Sequence, residues 1–78
     1  MKKNIYFFRF RVEDNKFDVT FFDVGAFSTR QAYFMLYLGL RVLKKTVNKE
    51  INFWRIPRPE GVVDNKAFVM HEGQILKF

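Results

Sequence analysis

Residues 4–12, Asn-Ile-Tyr-Phe-Phe-Arg-Phe-Arg-Val, alternate with period two. Tyr6, Phe8, Phe10 and Val12 are all apolar, and the odd positions mix Ile5 and Phe7 with Arg9 and Arg11. A pleated strand sends successive side chains to opposite faces, so this segment predicts a strand with one apolar and one mixed face. Residues 17–24, Phe-Asp-Val-Thr-Phe-Phe-Asp-Val, predict a second strand, and Glu13-Asp14-Asn15-Lys16 lies between them. Asp and Asn tolerate positive φ, so Asp14-Asn15 suits a two-residue type I′ hairpin turn. That turn sets an expected register of Glu13 with Lys16, Val12 with Phe17, Phe10 with Val19 and Phe8 with Phe21 on the apolar face. Arg11 with Asp18, Arg9 with Thr20, Phe7 with Phe22 and Ile5 with Val24 then share the other face. Opposite charges and aromatic pairs meet across the strands, as stabilising cross-strand pairs should.

Beyond Gly25-Ala26-Phe27, Ser28-Thr29-Arg30-Gln31 has the form of a capping box, with a helix expected from Thr29 to about Val47. At helical spacing Ala32, Leu36, Gly39, Leu40, Leu43 and Val47 form a stripe, with Tyr33 and Met35 at its margins. The stripe is expected on the apolar sheet face. Gly39 costs about 1 kcal/mol relative to Ala in a helix, which close approach of helix to sheet would offset. Glu50 to Ile56 predicts a third strand, stopped by Pro57-Arg58-Pro59. Ala67–Met70 and Ile75–Phe78 predict two short strands joined through His71-Glu72-Gly73-Gln74. The expected fold is α+β, in the order β-β-α-β-β-β: one antiparallel sheet of about five strands with one helix on one face. The 78 residues are expected to form a single small domain.

Composition narrows the chemistry. The chain has no cysteine and one histidine, His71, which excludes disulfides, thiolate catalysis and Cys- or His-rich metal sites. Ser28 serves as a cap, and no phosphate loop, dinucleotide fingerprint or HExxH is present. His71, Glu72 and Asp64 are the one acid–base group close in sequence, and His71 falls in an expected turn. The expectation is a non-enzyme without metal or cofactor. The longest apolar run, Ala32 to Leu40, is too short for the ~20 residues that span a bilayer. Arg9, Arg11, Glu13 and Asp14 interrupt any signal-peptide core, so a cytoplasmic location without membrane contact is expected.

The net charge of +6 and an aromatic content of 19% point to a binding surface. The outward hairpin face is expected to present Lys3, Phe7, Arg9, Arg11 and Phe22. Aromatics flanked by arginines on an open sheet suit single-stranded nucleic acid, whose bases stack while cations hold phosphates. A covering element or a dimer interface accounts for the same pattern. Arg55 and Arg58 add a second basic feature, with two prolines expected to hold Arg58 away from the sheet. On the helix, Phe34 and Leu38 sit opposite the core stripe beside Arg30, Arg41 and Lys45. They are either covered by a later segment or form a second interface.

The hairpin that ends in Asp-Val-Gly-Ala-Phe-Ser-Thr-Arg-Gln-Ala, followed by one helix and further strands, resembles small phage or plasmid accessory proteins of the anti-CRISPR inhibitor type. The resemblance covers the layout of residues 4–47 and carries over no functional residues. It implies a compact unit without a catalytic site that blocks a larger protein or nucleoprotein complex. Three functional expectations follow: such an inhibitor, a single-stranded nucleic-acid binder using the first hairpin, or a structural subunit of a homo-oligomer such as a homodimer.

Overall fold

The computed structural model describes residues 4–48, 50–62 and 65–77. Its elements are β1 (Tyr6–Glu13), β2 (Val19–Ala26), α1 (Thr29–Val42), β3 (Asn52–Ile56), β4 (Phe68–His71) and β5 (Gln74–Ile75). The strands form one antiparallel sheet in the order β3-β1-β2-β4-β5, and α1 packs on one face, contacting β2 and β4. This is the expected α+β architecture.

The first hairpin departs from the expected register. Phe10 pairs with Phe22, Phe8 with Val24, Arg9 with Asp23 and Arg11 with Phe21. The partner of Phe8 is therefore Val24 rather than Phe21, a slip of three positions along β2. The cause is the loop. The Phe17 N–H donates to the Asp14 carbonyl at 3.0 Å, and the Asp14 N–H donates to the Asp18 carbonyl at 2.9 Å. Asn15, Lys16 and Phe17 thus make a type I turn closed by a residue at positive φ, with Phe17 at φ 64°. The Asp14 carboxylate fastens this loop by accepting from the Lys16 and Asp18 N–H groups at 2.9 and 3.0 Å.

A slip by an odd number exchanges the faces of a strand. Phe22, Val24 and Ala26 consequently face the helix and are fully buried, while Val19 and Phe21 face outward. Together with Phe8, Phe10, Val12, Ala32, Met35, Leu36, Leu40 and Val69 they make the main core. The expected Arg11–Asp18, Arg9–Thr20 and Phe7–Phe22 pairs are replaced accordingly.

At the start of α1 the Ser28 hydroxyl accepts from the Gln31 N–H at 3.1 Å. The Gln31 side chain reaches back one residue further than a standard capping box, accepting from the Phe27 N–H at 2.8 Å. The helix ends at Val42, short of Val47. Lys44 takes a left-handed φ of 56°, its N–H donates to the Arg41 carbonyl, and the Lys45 N–H donates to the Leu40 carbonyl. This is a Schellman closure with lysine where glycine is usual. Val47 instead bridges Asp14. Leu36 is fully buried and Leu43 partly so. A Cβ on Gly39 would lie 3.1 Å from Val69 Cγ2, so the glycine does allow close approach to the sheet.

The other sheet face is half covered. Phe7, Val62 and Phe68 form a second small core under the segment that follows β3, with Ile5, Ile56 and Met70 packed around it. Arg58 lies over the Phe7 ring at 4.9 Å and donates to the Val62 carbonyl and to Asn65 Oδ1, each at 3.3 Å. It is therefore held against the sheet and not away from it. β4 and β5 are joined by a two-residue turn, Glu72 at φ 51° and Gly73 at φ 79°, the backbone signature of a type I′ hairpin. No helix among the described residues is long and apolar enough to cross a membrane.

Candidate binding face

Below the Arg58 segment the outward sheet face stays open among the described residues. Strand alternation brings Asn52 and Trp54 from β3, Arg9 and Arg11 from β1, Phe21 and Asp23 from β2, and Met70 from β4 onto it. All of these but Asn52 line a shallow depression of about 760 Å³, which Val19, Thr20, Glu72 and Gly73 complete.

Two aromatic rings dominate this face. Phe21 is 47% exposed and Trp54 43%, although they sit on strands separated by β1. Their centroids are 6.4 Å apart with planes at 72°, an edge-to-face contact over the line of Arg9 and Arg11. Val19, which lines the depression, and Ile75, which pairs with Met70, are also exposed, and Phe17 at the hairpin tip is 70% exposed. Large apolar groups presented together on one side mark an interaction surface, whereas scattered ones need no explanation.

The electrostatics are balanced. Arg9 donates to both oxygens of Asp23, through Nε at 2.7 Å and Nη2 at 3.1 Å. This hydrogen bond and the attached charge raise the Arg9 pKa further above its ordinary value. Arg9 and Arg11 are then offset in the depression by Asp23 and Glu72.

The expected site residues divide. Arg9 and Arg11 lie on this face. Phe7 is on the same side but buried in the second core, so its ring cannot serve as a stacking platform. Phe22 is in the main core on the opposite face. Arg55 also points to the helix side, its guanidinium 4.4 Å from the Tyr6 ring and 5.4 Å from Phe8. Arg58 holds its own loop, and Lys3 lies outside the described residues. On the helix, Arg30, Phe34 and Arg41 are exposed, and Phe34 is 62% accessible. Leu38 packs against the main core, and Lys45 makes an ion pair with Asp14 at 3.3 Å. Tyr37, also exposed, belongs to that helix stripe and was not expected there.

Sequence reasoning missed Phe21 and Trp54. A signal was present: a three-residue loop places Arg9 opposite Asp23, a better charge match than Arg9 opposite Thr20. Among the described residues, His71 is engaged by Thr20 and Phe22. Its Nε2 is 2.8 Å from Thr20 Oγ1, and its ring packs on Phe22 at 4.7 Å. Asp64 lies outside the described residues. Among the described residues no group of three or more acidic or histidine side chains could hold a metal ion.

Comparison with protein families, curated proteins and solved structures finds no significant match to this chain.

Proposed function

We propose that this chain is a non-catalytic docking protein of the small accessory-inhibitor kind, engaging a larger protein through the open sheet face. The edge-to-face Phe21–Trp54 pair in a charge-balanced depression supports this reading most directly. Binding energy at protein interfaces concentrates in aromatic and arginine side chains held in well-packed positions. Here both aromatic anchors stand on a rigid antiparallel sheet, and Arg11 lies between them. A phosphate backbone would instead meet Asp23 and Glu72, with Arg9 already engaged. The remaining positive charge has a different role. Residues 24–49 contain no Asp or Glu and carry Arg30, Arg41, Lys44, Lys45 and Lys49. Among the described residues this charge lies on and after α1, on the side of the sheet away from the docking face, so it adds long-range attraction to an acidic partner and no contact in the docked face. A chain with no cysteine to oxidise is compatible with action in the cytoplasm.

The test is capture from a bacterial lysate with and without nuclease, comparing the wild type with Phe21→Ala/Trp54→Ala. Capture should resist nuclease and be lost in the double variant, with each substitution weakening binding by about 2 kcal/mol or more if the rings are hot spots. Nuclease-sensitive capture, or tight oligonucleotide binding that falls steeply with salt, would overturn the reading.

A further inference from the structure

The sheet has two edges of different quality. β5, at one edge, is two residues long. β3, at the other, is five residues long, and Asn52, Phe53, Trp54 and Arg55 are all exposed. A long edge strand presents unpaired peptide groups that recruit another strand unless lysines, prolines, bulges or a covering element protect it. β3 itself contains neither proline nor lysine, and Pro57 follows only at its end.

The open peptide groups can be named. The Asp14–Asp18 bond makes Asp14 a hydrogen-bonded position of the β1–β2 ladder. Hydrogen-bonded and non-bonded pairs alternate, so even residues of β1 bond to β2 and odd residues turn toward β3. The Asn48 N–H donating to the Glu13 carbonyl at 2.8 Å follows this rule. Arg9 therefore exchanges its bonds with Trp54, and Arg11 with Asn52. The N–H and C=O groups of Phe53 and Arg55 are left pointing away from the sheet.

We propose that β3 pairs antiparallel with β3 of a second copy, about a two-fold axis at Trp54. That axis sets Phe53 opposite Arg55 of the second copy and Arg55 opposite its Phe53. All the open groups of the two residues then pair across the axis. The register is self-complementary, as a two-fold interface must be. Each Arg55 guanidinium, already over Tyr6 and Phe8, gains the facing Phe53 ring as a third aromatic neighbour. A register one step along would oppose Arg55 to Arg55. The two Trp54 side chains meet on the outward face, at a non-hydrogen-bonded pair where side chains lie closest. Growth stops at two copies, because the dimer has used the long edge of each chain and exposes only β5.

Each copy carries +6, so the copies repel. Added salt screens that repulsion and should strengthen the association, opposite to the behaviour of a phosphate complex. The experiment is light scattering coupled to gel filtration over a micromolar to near-millimolar range, at low and moderate salt. Hydrogen exchange of the full chain is followed over the same range. The expected mass at high concentration is twice 9.4 kDa. The Phe53 and Arg55 amides should exchange slowly when concentrated and quickly when dilute. Arg55→Pro removes an outward N–H without touching the β1 ladder, and should return the mass to that of one chain. A single-chain mass throughout, a folded Arg55→Pro that still dimerises, or exchange at Phe53 and Arg55 that is independent of concentration would each overturn the proposal. If Arg55→Pro does not fold, wild-type exchange alone decides.

Discussion

Adjacent phenylalanines on β2 have opposite fates, and the difference is measurable. Phe22 is fully buried between Phe10 and His71, whereas Phe21 is 47% exposed on the outward face. Truncating a buried Phe to Ala costs about 3–5 kcal/mol, from lost transfer energy and the cavity left behind. Full burial of such a side chain is worth about 1.5–3 kcal/mol, so removing the half-buried Phe21 should cost roughly 1 kcal/mol. The gap between the variants is then about 2–4 kcal/mol. A chain of this length has a total stability of only about 4–12 kcal/mol, so Phe22→Ala approaches global unfolding. In a domain of this size 1 kcal/mol moves the midpoint by about 4–8 °C, so the two melting temperatures should differ by roughly 10 °C or more. Urea denaturation with a common slope, checked by thermal melting, is the assay. If Phe21→Ala destabilised as much as Phe22→Ala, the three-residue loop would be refuted, and the exposed aromatic pair with it.

The loop itself can be tested at Phe17, which is 70% exposed at φ 64°. Phe17→Gly should be more stable than Phe17→Ala by about 0.5–1 kcal/mol, because left-handed backbone costs an Ala about 1–2 kcal/mol and Gly entropy offsets part of that. Equilibrium unfolding with Ala ahead of Gly would contradict the loop geometry. Asp14 provides a pH test. Burial alone would raise its pKa, but hydrogen bonds from the Asp18 and Lys16 N–H groups and the Lys45 ammonium hold it below its ordinary value. The stability it confers is complete above its unfolded pKa of about 3.9, and is lost as pH falls through the lower folded value. Urea midpoints followed from neutral to acidic pH should decline below about pH 4 in the wild type, and less steeply in Asp14→Asn. Equal slopes in the two proteins would show that the carboxylate is not held as described.

What the sequence determined by itself was local. The alternation of Tyr6, Phe8, Phe10 and Val12 specifies which face of β1 is buried, because pleating links neighbouring residues directly. Ser28 and Gln31 mark the helix start for the same reason: their partners are within four residues. β2 is different. Its apolar residues occur at both parities, Val19 and Phe21 against Phe22 and Val24, so no pattern within the strand selects a face. The selection falls to loop length, and the loop places a phenylalanine in a conformation that intrinsic preference assigns to glycine. Its anchor, Asp14, is held partly by Lys45, which lies 31 residues away in the chain. The helix end likewise rests on Lys44 in a left-handed conformation. Whether Phe7 is a platform or a core residue was decided by the segment carrying Arg58 and Val62, which follows β3 and lies over Phe7 because β3 pairs with β1. Tertiary packing can outweigh local costs of about 1–2 kcal/mol each, because one core phenylalanine is worth more than that.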